Sequence, residues 1–263
     1  MAFALAATLG TASASPHDPP GPAGAGNQAV NGVLTSPFED VTPPTFEDGA
    51  SVQAAQQWLD VALAKREHRL GVLAKSISGS KVLPGAASST LAGLVASDAA
   101  GIDELVGSVA SASSAAALDQ DAASMIVRYR VFAVVAPVVR TAIAAYGQLS
   151  SAAAIQSLEP AIGAAIATES LGASSTVQAK ALYRDLLAEL GSVTTTDTAV
   201  AGDVLALGPT SFPGSSGVLS SASSSLAGSA ARIASAQQDV RDIVKLLAAP
   251  GLVKDHVHLG PRG

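Results

Sequence analysis

The stretch Tyr129-Arg130-Val131-Phe132-Ala133-Val134-Val135-Ala136-Pro137-Val138-Val139-Arg140 is the centre of an apolar run from Ala122 to Leu149. Wound as a helix, its Val and Ala side chains point in every direction, so it has no side to give to water. A helix of that kind belongs inside a bundle, and the segments before and after it have the spacing to surround it. Pro137 lacks a backbone N–H, which predicts a kink near Ala133 to Pro137. The most apolar part of the run, Val131 to Tyr146, is also broken by Arg140 and preceded by Arg128 and Arg130. A bilayer needs about 20 clean apolar residues, so the expectation is a buried bundle helix with no stable transmembrane span.

Outward from this helix the pattern repeats in amphipathic form. Val52 to Ile77 carries Leu59, Leu63, Leu70, Leu73 and Ile77 in steps of three and four, with Arg66 interrupting the stripe and Asp48 or Ser51 as its cap. Trp58 is expected to be half-buried against a neighbouring helix. Ala87 to Ser113 places Leu91, Val95, Ile102, Leu105 and Val109 on one face. The central helix starts near Ala115 and continues to Leu149. Ser151 to Thr168 reads as a weaker helix broken at Pro160, and Leu171-Gly172 closes it. Thr176 to Leu207 keeps the stepped spacing through Leu182, Leu186, Leu190, Val193, Val200, Val204 and Leu207, with Thr194-Thr195-Thr196 expected to kink it. The last helix, Ser215 to Ala249, repeats Leu219, Leu226, Ile233, Val240, Val244 and Leu247 at close to seven residues. That repeat suits long antiparallel helices packed at a shallow angle.

The expected fold is therefore all-α, an elongated up-and-down bundle of about five long helices with a disordered N-terminal arm. Its boundaries read as a truncated signal peptide over 1–14, a Pro/Gly-rich linker over 15–49, the bundle over 50–249 and a flexible tail over 250–263. Ala2 to Gly10 is a short apolar run followed by Ala12-Ser13-Ala14, a pattern of the kind signal peptidase cuts. The linker repeats Phe38-Glu39-Asp40 as Phe46-Glu47-Asp48. Phe38 is expected to pack loosely on the bundle, while the acids favour the start of the first helix through its dipole.

Composition narrows the function classes. Hydrophobic residues make up 48% of the 263 but aromatics only 3%, which favours close helix packing over sheets. A net charge of -6 with no basic run argues against nucleic acid. With no cysteine, disulfides, thiolate metal sites and cysteine nucleophiles are excluded.

Motifs for chemistry are absent. No G-x-S-x-G, H-E-x-x-H or phosphate-binding glycine loop occurs. His17 falls in the linker, His68 on the exposed side of the first helix, and His256 and His258 in the tail, where no scaffold would hold a metal. Asp98, Asp103 and Glu104 lie within two turns, but only Asp98 falls on the apolar stripe; the reading is a solvated face with one boundary aspartate. Arg128, Arg130 and Arg140 are expected to reach acids such as Asp98 or Asp197. No catalytic, cofactor-binding or metal-ligating residue is assigned, and no cofactor is expected.

A resemblance adds to this. The Tyr129-Arg130-Val131-Phe132 start with Pro137, the Val204-Leu205-Ala206-Leu207-Gly208-Pro209 helix end, and the repeat of Leu226, Ala230-Ala231-Arg232, Ala236, Asp239-Val240-Arg241 and Ile243 are similar to an uncharacterised group of secreted, Ala-rich helical-bundle proteins from high-GC Gram-positive bacteria. The likeness spans about 52–249. It implies the fold and a secreted, extracellular or cell-envelope location, and carries over no catalytic residue. Three functional expectations follow. The first is a non-enzymatic structural or binding module at or outside the envelope, whose partner class is an envelope component or a lipid. The second is a membrane-active or lipid-binding bundle. The weakest is an extracellular hydrolase, resting on location alone, with Asp98, Tyr129 and Arg130 as the buried polar residues whose substitution would test it.

Overall fold

The computed structural model describes Phe46 and residues 52–168 and 173–248. The signal-like segment, the linker apart from Phe46, the expected caps Asp48 and Ser51, the Leu171-Gly172 closure and the histidine-bearing tail lie outside the described residues. Within them the chain is an all-α bundle with no strand. The helices are α1 (Val52–Gly79), α2 (Gly85–Ser111), α3 (Ala115–Ser124), α4 (Ala136–Gln156), α5 (Glu159–Thr168), α6 (Ala173–Leu205) and α7 (Gly214–Ala248). Two π-helical turns, Met125–Tyr129 and Val131–Val135, join α3 to α4. From Ala115 to Thr168 the chain thus runs as one segmented rod, and the bundle has five rods.

The apolar stripes become core. Leu59, Leu63, Leu70, Leu73 and Ile77 of α1 and Leu91, Val95, Ile102, Leu105 and Val109 of α2 are buried, as are Val131, Val134, Val135, Val138 and Val139 of the central rod. On α7 the last turns depart from the expectation. Val244 is exposed and Ile243 takes the core position, because the buried residues keep two strict seven-residue series, Leu219, Leu226, Ile233, Val240 and Ala222, Ser229, Ala236, Ile243, and Val244 belongs to neither.

Local chemistry holds the rods in place. The Ser114 hydroxyl accepts from the Ala117 N–H and caps α3. Gln56 of α1 donates its side-chain amide to the carbonyls of Val109 (3.0 Å) and Ala112 (3.1 Å). It thereby serves the open C-terminal carbonyls of α2 and sets α1 antiparallel to it. Phe46 meets Trp58 edge-on at 6.0 Å, and its backbone N–H donates to Asp119 at 2.8 Å. Phe46 is thus an aromatic partner of Trp58, and the half-buried indole remains 46% exposed.

Three expected breaks fall elsewhere. The central rod is interrupted at Arg130, which adopts left-handed φ 35°, ψ 47° between the two π turns. Pro137 lies in the first turn of α4, where its missing N–H costs nothing. Pro160 likewise sits in the first turn of α5, and the break precedes it at Ser157 and Leu158. The threonines of α6 do not open the helix. Thr194 and Thr195 donate their hydroxyls to the carbonyls of Leu190 (2.9 Å) and Gly191 (3.0 Å), which keeps these groups satisfied within the rod.

The core divides in two along the long axis. One cluster joins α1, α2, the central rod as far as Ala145, the end of α6 from Val200 and the start of α7 to Leu226. The other joins Ala152 and Ile155 of α4, Ile162 and Ile166 of α5, α6 up to Val193 and α7 from Ile233. The helices α4, α6 and α7 run through both halves, whereas the α1–α2 hairpin covers only the first.

Candidate functional site

Two polar features stand out against this apolar background. The first is the waist between the two clusters. Gln148 of α4, Asp197 of α6 and Ser229 of α7 are all buried there. Gln148 donates its amide to the Leu226 carbonyl at 3.0 Å, tying α4 to α7. Asp197 is 0% exposed, and neither of its oxygens has a hydrogen-bond partner among the described residues. Burial pushes its carboxyl up to about 6, while the facing Ser229 hydroxyl, short of good hydrogen-bond geometry, pulls slightly the other way. No groove reaches Asp197 among the surfaces lined by described residues.

The second is a groove of about 490 Å³ between α1 and α4. One wall is the stripe Arg69, Val72, Leu73 and Ser76 of α1, spaced at three, four and seven residues so that all face one way, followed by Ser80 just past the end of the helix. The other is Val139, Arg140, Ile143 and Ala144 of α4, and Lys75 stands on the rim. α1 packs more closely along α2 than along α4, which is why a groove opens on this side. Its floor is aliphatic and its charges are all positive. Arg69, Lys75 and Arg140 form no ion pair among the described residues. The Nε of Arg69 and the hydroxyl of Ser80 are shielded from water and have no hydrogen-bond partner among the described residues. Burial lowers the Arg140 guanidinium pKa from its usual value, so this charge sits where water is thinned.

The residues singled out from the sequence go to other places. Asp98 is 4% exposed, so it is a core group of α2 and not a boundary one. It lies on the face that includes Gly101 and Ile102, and that face is covered by the central rod. Asp103 and Glu104 are exposed as expected, and so is His68. Arg66, which interrupts the α1 stripe, is buried too, donating to the Ala62 carbonyl at 3.0 Å with its guanidinium 5.3 Å from the Phe132 ring centre. The Tyr129 ring packs against Gly101, where a Cβ would overlap it. Arg130 stacks its guanidinium 4.1 Å from the ring centre of Phe212, in the loop between α6 and α7 that also holds the cis Phe212–Pro213 bond.

The expected arginine pairings are thus revised. Arg128 is exposed, Arg140 turns into the α1–α4 groove, and Asp197 receives no arginine. Asp98 and Tyr129 reach neighbouring positions, but they line none of these grooves. Among the described residues no group of three His, Cys, Asp or Glu is placed to hold a metal ion. The sequence reading missed Arg69 and Lys75. The signal was present in the second stripe beside the α1 core stripe, Arg69, Val72, Ser76 and Ser80, which is polar at both ends and apolar between.

The segment Ala115–Thr168 is long and apolar enough to cross a membrane, and 61% of its most apolar window is buried inside the bundle. No protein-family model, curated protein or solved structure matches the chain.

Proposed function

We propose that the chain is an exported, non-enzymatic helical bundle that acts as a binding module at or outside the cell envelope, with the α1–α4 groove as its ligand seat. One observation carries the reading: Arg69, Lys75 and Arg140 converge on a single groove with aliphatic walls, and no acid lines it. Three like charges on one groove disfavour the empty state, and a complementary ligand relieves that cost. Support for export comes from the Ala12-Ser13-Ala14 pattern after an apolar run, and from the resemblance over 52–249. The same resemblance supports a high-GC Gram-positive host.

Two measurements test this reading. Mass spectrometry of cell fractions should find the protein outside the cytosol with its mature N-terminus at Ser15; a purely cytosolic protein refutes export. The purified chain should co-sediment with envelope preparations, and Ser76→Trp, which places an indole in the groove from an exposed position, should abolish that. No association of the unaltered chain refutes the binding module.

A second reading is favoured by the length and apolarity of Ala115–Thr168: the central rod leaves the core and enters a bilayer. Liposome flotation with dye release tests it, and absence of vesicle association ends it. The hydrolase reading has less support, because Asp98, Tyr129 and Arg130 do not line the α1–α4 groove.

A further inference from the structure

We propose that the α1–α4 groove takes one amphipathic anion, a carboxylate or phosphate head on a slender apolar body, with Arg69 and Arg140 as the head-group anchors. This rests on the groove being the ligand seat, and it names the ligand class.

The argument is one of matching. Val72 and Ile143 offer aliphatic surface over the buried Leu73, Val139 and Ala144, so a hydrated inorganic ion would leave most of the groove unused. A neutral apolar molecule would leave the guanidinium groups without a counter-charge beside newly dried walls. A cationic amphiphile would meet Arg69, Lys75 and Arg140 head-on. An anion with an apolar tail satisfies both surfaces. Its head group gives the Arg69 and Arg140 guanidinium groups the counter-charge they lack among the described residues. Along α1 the lining runs from Arg69 to Gly79, about 15 Å at the helical rise. A volume of about 490 Å³ lies within the range of small-molecule sites and far below that of a bilayer patch, so the occupant is a single free amphiphile. The net charge of -6 does not oppose this, since charges more than about 8 Å away are largely screened at physiological salt.

The test is calorimetric titration of the full chain with dodecanoate and with dodecyl phosphate, each below its micelle concentration. Dodecanol, dodecyltrimethylammonium and inorganic phosphate serve as comparisons. Both anionic amphiphiles should bind one per chain, with each comparison compound at least about tenfold weaker. Arg69→Gln and Arg140→Gln should each raise Kd about tenfold, and Arg140→Lys should recover part of that loss. Far-UV circular dichroism on each variant separates lost binding from lost folding. If a variant melts early, Ser76→Trp gives the same answer by obstruction.

Equal affinity for the cationic amphiphile, or Kd values indifferent to all three groove substitutions, overturns the proposal. So does association only with vesicles containing anionic lipid and not with the free amphiphile. If neither anion binds while Ser76→Trp still abolishes envelope association, the ligand class fails and the binding module stands. If envelope association is missing as well, the binding module falls with it.

Discussion

Replacing Asp197 by Asn should stabilise the protein at alkaline pH and do little at acid pH. The carboxylate is 0% exposed and has no hydrogen-bond partner among the described residues, so folding takes a charge out of water without giving it an opposite one. Its folded-state pKa of about 6 against an ordinary 3.8 means that the folded state binds this proton more tightly than the unfolded state does. The sign follows. Below about pH 3.8 both states are protonated and ionisation makes no difference to stability. Between about pH 3.8 and about 6 the unfolded state ionises while the folded state keeps its proton, so stability falls by about 3 kcal/mol across that window and is level above it. Asn cannot ionise, and an amide in this site costs about 1–2 kcal/mol of desolvation. The variant should therefore gain about 1–2 kcal/mol over the parent at pH 8 and lose its advantage by pH 4.5. Urea denaturation followed by far-UV circular dichroism at both pH values measures this directly. Taking the variant-minus-parent difference cancels every other titrating group. A difference that is flat between pH 4.5 and pH 8, or one that grows toward acid, would refute the reasoning.

Three further outcomes are expected. Gly101→Ala puts a methyl group into the Tyr129 ring and should cost about 1–3 kcal/mol in thermal or urea unfolding; in a Tyr129→Ala background that penalty should vanish. At Arg130 the usual helix order should invert, with Arg130→Gly more stable than Arg130→Ala by about 1 kcal/mol, because φ 35° disfavours any Cβ. If Ala is the better residue there, as in an ordinary helix, the left-handed junction is refuted. Val135→Asp buries a carboxylate at a fully enclosed position and should cost several kcal/mol, a large share of a total stability of about 5–15 kcal/mol. An unchanged melting temperature would place Val135 at the surface.

Much of the bundle was legible because burying an apolar stripe is a local demand. Leu59, Leu63, Leu70, Leu73 and Ile77 announce a helix and its inner face from spacing alone, and all five are buried. The all-round apolar character of Val131 to Val139 likewise announced the centre. Polar residues inside those stripes were misread. Asp98 looked like the boundary of a face and Arg66 like an interruption of its stripe, yet both are core. Periodicity records where a side chain points but not how many rods cover it. Prolines were over-read for a similar reason: Pro137 and Pro160 begin helices, and the break falls at Arg130, a residue with no breaking propensity of its own.

By itself, then, the chain's sequence determined an all-α class, the number of rods and which stripe of each faces inward, because these follow from burial at a period of 3.6 residues. Only the tertiary structure decided that Gln148, Asp197 and Ser229 share one buried waist, and that Arg69 and Arg140 share one groove. Both groupings join residues 32 or more positions apart on helices whose lateral order and axial register are set by packing, and no local pattern encodes that register.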